Sequence, residues 1–175
     1  MKLFMVIASW FFILPAICQN LVPNGDFKKY DETTGRPADW LFNRYNEVVE
    51  EGPDGSPALR MTSYYRSKDG AWKANAMTTI PKIAAGTWKF SLKAKGRANR
   101  IYYFLIPEQK TGKSVCRDFR KNSMKSLDHG WKTGEYKITF PKDQQNVKLV
   151  LECFFLDRDE YEELADIRLE PVPGK

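Results

Sequence analysis

Histidine is almost absent from this chain: His129 stands alone among 175 residues. A lone histidine without partners argues against His-built zinc and nucleophile sites. Cysteine is scarce as well, with three, and no Cys-x-x-Cys pair. Neither His-Glu-x-x-His nor Gly-x-Ser-x-Gly occurs. Carboxylates do sit close in sequence at Glu50-Glu51, Asp157 and Asp159, and Glu162-Glu163. Neighbours on a strand point apart, however, and a glycosidase needs its two carboxyls roughly 5–9 Å apart across a cleft. Solvated charge is the plain reading, and no enzyme is expected. Also missing are a fixed-period repeat, a linker and a long amphipathic helix. The best helical stretch, Asp157 to Leu164, is short and acidic and reads as a loop.

Long apolar runs are limited to Leu3 to Leu14, shorter than the about 20 residues of a bilayer span. With Lys2 before it and Pro15-Ala16-Ile17-Cys18 after it, the run reads as a secretory signal over residues 1–18. Ala16 and Cys18 fill the small-residue positions, placing cleavage before Gln19. Lipidation of Cys18 is the alternative, disfavoured by Ile17 where a small residue normally stands. Export implies a secreted, periplasmic or cell-surface protein with no transmembrane segment after cleavage. It also leaves Cys116 and Cys153 where disulfides persist, so a bond between them is expected. Cys153 falls on the apolar side of its strand, where a free thiol is equally comfortable.

Lys and Arg number 28 against 22 Asp and Glu. The surplus suits acidic partners, but the charges are scattered. Lys89, Lys93 and Lys95 alternate with apolar residues, while Arg117, Arg120, Lys121 and Lys125 lie in a polar stretch. No basic run is interleaved with stacking aromatics, so nucleic acid is not an expected partner.

What is abundant is period-two alternation. Leu59 and Met61 alternate with Arg60 and Thr62. Trp88, Phe90, Leu92 and Ala94 alternate with Lys89, Ser91, Lys93 and Lys95. Tyr136, Ile138 and Phe140 follow the same rule, as do Val147, Leu149, Leu151 and Cys153, and Ile167 with Leu169. Each segment buries one face and wets the other, as strands of an antiparallel sandwich do. Ile101 to Ile106 is apolar or aromatic on both faces, which marks a strand with neighbours on both sides and something lying over its outer face. Gly- and Pro-rich turns separate the segments, as at 52–57, 86–87 and 95–99. One all-β domain over 19–171 is expected, with 172–175 a frayed tail.

Asn20-Leu21-Val22-Pro23-Asn24-Gly25-Asp26-Phe27, then Gly35-Arg36-Pro37-Ala38-Asp39-Trp40, resembles the opening of carbohydrate-binding modules of families four, nine and twenty-two. Gly55 to Met61, Ala85 to Gly96, Trp131 to Tyr136 and Ala165 to Glu170 continue the resemblance in order across nearly the whole mature chain. The resemblance implies a two-sheet jelly-roll sandwich, galactose-binding-domain-like, with its terminal strands close together. It also implies a structural calcium, although binding itself calls for no cofactor. Many such modules have Glu where Lys28 stands, and two acidic residues where Ala165-Asp166 stands. Asp166 and Asp26, with backbone carbonyls, are the ligands left, and Lys28 would repel the ion.

Trp40, Trp88 and Trp131 fall in the structural motifs and read as core. The binding candidates are Tyr64, Trp72 and one of Tyr102 or Tyr103, with Arg60 or Arg66 alongside. Extending the alternation from Leu59 and Met61 turns Tyr65 inward and Tyr64 outward with Arg60 and Arg66. Aromatic faces suit the apolar C–H faces of sugars, and an Arg suits a hydroxyl or an acidic group. For each ring taken singly, ordinary packing is the commoner fate. The main reading is an exported, non-catalytic module for a polysaccharide or glycan, slightly favouring an acidic one, alongside a separate glycoside hydrolase. A structural or adhesive surface protein that uses the fold for protein contacts is the alternative. A glycoside hydrolase or its accessory subunit is a weaker one.

Overall fold

The computed structural model describes residues 19–108 and 114–173. The expected signal over residues 1–18, with Cys18, and the last two residues of the expected tail lie outside them. Twelve strands follow in chain order: β1 (Trp40–Phe42), β2 (Asn46–Val49), β3 (Ala58–Thr62), β4 (Tyr65–Arg66), β5 (Trp72–Ile83), β6 (Gly86–Gly96), β7 (Arg100–Ile106), β8 (Val115–Arg120), β9 (Lys125–Ser126), β10 (Lys132–Phe140), β11 (Gln144–Phe155) and β12 (Tyr161–Pro171). They form two six-stranded sheets. The first has the order β1-β5-β11-β7-β8, with β4 also pairing β5; the second runs β2-β3-β12-β6-β10-β9. Every strand pairing is antiparallel. This is the expected jelly-roll sandwich. No helix among the described residues is long and apolar enough to cross a membrane.

The alternating residues meet between the sheets. Leu59, Met61, Phe90, Leu92, Leu149, Leu151, Ile167 and Leu169 are all buried in one core, together with Ile101, Tyr103 and Leu105 of β7. Trp40, Trp88 and Trp131 are buried too. Trp131 belongs to a small second cluster with Ala58 and Ala165. Burial of a large side chain is worth about 1.5–3 kcal/mol, so these rows decide which face of each strand turns inward.

The opening motif is a clamp for the last strand. The Asn20 side chain donates to the Ile167 carbonyl and accepts from the Leu169 amide. The Leu21 amide donates to the Leu169 carbonyl, and the Ile167 amide to the Gly25 carbonyl. A Cβ on Gly25 would stand 2.1 Å from the Ile167 carbonyl oxygen, so only glycine fits. The Asn24 side chain ties the loop to Lys29 and Ala38, and the Trp40 indole donates to the Pro23 carbonyl at 3.1 Å. The two ends of the domain are therefore adjacent, as expected.

Two expectations are corrected. Tyr161 to Leu164 is strand rather than loop, because Glu163 pairs with Arg60 across β3 and Glu162 is buried against Lys121. Cys116 and Cys153 are not bonded. They lie on β8 and β11 with β7 between them, two strand spacings (about 10 Å) across the sheet and a further three residues apart along β7, beyond the about 7 Å a disulfide spans. Cys153 faces the core, while Cys116 is exposed.

Candidate functional site

The outer face of the first sheet carries three cross-strand rows. The first runs Tyr65, Lys73, Phe154, Arg100, Arg120; the second Asn75, Glu152, Tyr102, Asp118; the third Leu41, Met77, Val150, Phe104, Cys116. Register alone places them, since directly opposed residues share a face. The third row spans five strands, roughly 19 Å at one strand spacing per step.

The rings gather where β11 meets β7. Tyr102 lies 4.9 Å from Phe154 and 6.2 Å from Phe104 between centroids, with Phe104 nearly parallel to it. Lys73 Nζ sits 4.1 Å from the Phe154 centroid. A second group begins one strand away: Tyr64 packs edge-on to Tyr65 at 4.8 Å, and Tyr45 stacks on Tyr64 at 5.4 Å. Polar groups bind the two groups together. The Tyr65 hydroxyl donates to Glu152 Oε1 at 2.8 Å, and Lys73 Nζ lies 3.9 Å from Glu152 Oε2. Arg100 Nη1 donates to the Tyr102 hydroxyl at 3.1 Å. Burial, then the hydrogen bond to Glu152, pushes the Tyr65 phenol well up, so it stays a neutral donor. Half-buried rings bordered by fixed amide, carboxylate and phenol groups can stack on the C–H faces of sugars while bonding their hydroxyls.

The sequence-derived site residues separate in the structure. Tyr102 lies on this face. Tyr103 is fully buried and faces the core, with its phenol pushed up mainly by burial. Tyr64 packs against the core beneath Tyr65 and lies near Asn75 Oδ1 at 3.4 Å. Trp72 also packs against the core, with the Arg158 guanidinium 5.9 Å from its ring. Arg66, opposite Trp72, donates to the Gly70 carbonyl at the hairpin tip. Arg60 lies on the other sheet, held by Glu163 at 2.7 Å, Glu47 and Glu51. Tyr65 lies on the outer face rather than inward, because the chain leaves β3 in one sheet and enters β4 in the other across Ser63 and Tyr64, which resets the alternation; Tyr64 is half-buried beside it. Phe104, Phe154, Glu152, Asn75 and Lys73 were not among the candidates. Alternation in β11 and the two-sided pattern of β7 could have found Phe154, Glu152 and Phe104.

Asp26 and Asp166 line one corner depression together with Lys28, Lys93 and Arg168. Asp26 pairs with Lys28 at 3.5 Å, and Asp166 with Lys93 at 3.3 Å and with Arg168. Among the described residues no three His, Cys, Asp or Glu converge on one point. Two carboxylates facing three cations do not fit calcium, which takes about six to eight oxygens.

No family model and no curated protein sequence matches this chain. Solved structures do. A family 61 carbohydrate-binding module in complex with beta-1,4-galactotriose shares 88% of this chain and 99% of its own, with a TM-score of 0.58 and 14% identity. The family 11 module of a Clostridium thermocellum cellulosomal cellulase covers 90% of this chain and 96% of its own, at a TM-score of 0.56 and 16% identity. A family 4 module covers 86% of this chain and 99% of its own, at a TM-score of 0.53 and 15% identity. This is the fold of the carbohydrate-binding modules. At such identities the likeness is one of architecture. The module fold gives the aromatic face a scaffold of long central strands, β5 and β11, that hold its rows in register.

Proposed function

We propose that the protein is an exported, non-catalytic module that binds a polysaccharide or glycan chain across the outer face of the first sheet. The observation behind this reading is the cluster of Phe154, Tyr102 and Phe104 on adjacent rows of one face, with Tyr102 in register with Asn75, Glu152 and Asp118. Tyr102 and Phe154 stack on sugar rings; Glu152, Asn75 and Tyr65 bond hydroxyls. The face works without a metal or a cofactor. Export rests on the signal pattern of residues 1–18, and a separate glycoside hydrolase acting on the same glycan is the natural partner. Leu41, 70% exposed beside Met77, favours a second reading in which the face holds a protein.

Affinity electrophoresis against neutral and acidic polysaccharides tests the proposal. Retarded migration that is lost in a Tyr102→Ala, Phe154→Ala variant supports glycan binding at this face. Free migration across the whole panel favours the protein-contact reading.

A further inference from the structure

Three outward cations of β3 and β6 are already paired. Arg60 is neutralised by three glutamates, Lys89 faces Glu170, and Lys93 faces Asp166. A different group of cations is left over. At the β7/β8 end of the aromatic face, the β6–β7 turn, the end of β8 with its following turn, and the start of β10 enclose a concavity of about 640 Å³. Arg97, Arg100, Arg120, Lys121 and Lys132 line it, with Leu156 at the rim and no carboxylate.

Two of these cations are matched. Lys121 lies 2.7 Å from the buried Glu162, and Arg120 lies 3.3 Å from Asp118. The other three form no ion pair among the described residues: Arg100 donates to the Tyr102 hydroxyl and Lys132 to the Lys121 carbonyl, and Asp118, which acts on Arg100 from further off, is already paired with Arg120. The Arg97 side chain has no polar partner there. Unmatched positive charge in a concavity concentrates anions. Its location is specific, because Arg100 stands directly opposite Phe154 in register and Arg120 directly opposite Arg100. Arg100 and Arg120 therefore extend the row on which Phe154 lies.

Building on the glycan reading above, we propose that this concavity receives the carboxylate of a uronic acid unit in a chain whose neighbouring ring stacks on Phe154 and Tyr102. A guanidinium fork matches a planar carboxylate with two parallel hydrogen bonds. In a uronic acid the carboxylate is attached to the ring itself, so a ring seated beside Phe154 keeps the group within reach of Arg100 and Arg97.

The test is calorimetric titration of the mature protein with oligosaccharides of galacturonate, mannuronate and glucuronate. Each is compared with its methyl ester, which keeps the size and removes the charge. A neutral galactan and a sulfated galactan complete the set. At least one uronate is expected to bind about tenfold or more tightly than its ester, the scale of one bidentate charged contact. Its affinity should fall with added salt. In an Arg97→Ala, Arg100→Ala variant the acid should drop to the level of its ester and lose most of that salt dependence. Lys137→Ala, an exposed cation on the other sheet, should change neither. Equal affinity for acid and ester, or binding of the neutral galactan alone, overturns the carboxylate site and leaves the glycan reading standing. Preference for the sulfated chain alone overturns the commitment to a carboxylate. If no member of the set binds, the glycan reading fails and this inference fails with it.

Discussion

Both sheets turn alternate side chains outward, but the two outer faces treat them in opposite ways. On the second sheet the carboxylates of β12 are matched by neighbouring cations: Glu163 by Arg60, Glu170 by Lys89, and Asp166 by Lys93 and Arg168. Lys95 lies 5.9 Å from the ring of the buried Trp131, so that ring offers no open stacking face. On the first sheet the rings of Phe154, Tyr102 and Phe104 are half-buried at the surface, and among the described residues Arg97 and Arg100 beyond them form no ion pair. The two faces differ in their rings as well as in their pairing. A face whose polar groups are already satisfied has little to offer a ligand, whereas rings and unpaired cations do.

The largest effect expected from breaking this contrast lies within β12. Burial, opposed by Lys121, raises the Glu162 carboxyl from 4.5 to about 7. The folded protein therefore holds a proton there that the unfolded chain releases near pH 4.5. Stability should fall as pH rises from about 4.5 to 7 and level off above, by about 3 kcal/mol at about 1.4 kcal/mol per pH unit. Denaturant unfolding followed across that range should show the fall in the wild type and a flatter profile in Glu162→Gln. The same slope in both would place the titration elsewhere.

Arg60→Ala comes next. It strands the buried Glu163, and the cost is expected at about 2–3 kcal/mol in denaturant unfolding, with glycan affinity unchanged in the folded variant. A loss of affinity there would erase the distinction between the faces. Smaller again is the effect of labelling Cys116, which is exposed and sits beside Phe104 in the third row. A bulky thiol reagent should react at Cys116 in the native protein, reach Cys153 only after unfolding, and weaken binding. Native reaction at both thiols would contradict the core position of Cys153. The smallest expected effect is none: calcium or a chelator should leave the melting temperature unchanged, since Lys28, Lys93 and Arg168 already neutralise Asp26 and Asp166. A calcium-dependent rise in melting temperature would show that these cations give way to the ion.

Much of the sandwich was legible in the alternation, because a one-residue slip would expose an entire row such as Phe90, Leu92 and Ala94. The two-sided apolarity of Ile101 to Ile106 marked β7 correctly as a strand with neighbours on both sides. The site was less legible, since it depends on which strands lie side by side. Phe154, Tyr102 and Arg100 come from different parts of the chain and meet only through the β11–β7 register. Tyr65 turned outward because Ser63 and Tyr64 carry the chain between sheets, a step with no signature in a local period. Glu162 and Glu163 looked like loop charge because their partners, Lys121 and Arg60, are distant in sequence.

The central claim is that the aromatic face of the first sheet holds the ligand while the second sheet does not. Calorimetric titration of Tyr102→Ala and Phe154→Ala, singly and together, against a polysaccharide retained by the wild type tests it most directly. Each ring is expected to contribute about 1–2 kcal/mol, roughly tenfold in affinity, with circular dichroism unchanged. The double variant should lose about a hundredfold if the two contributions add. Wild-type affinity in the folded double variant would mean that these rings only pack, and that the ligand binds another surface.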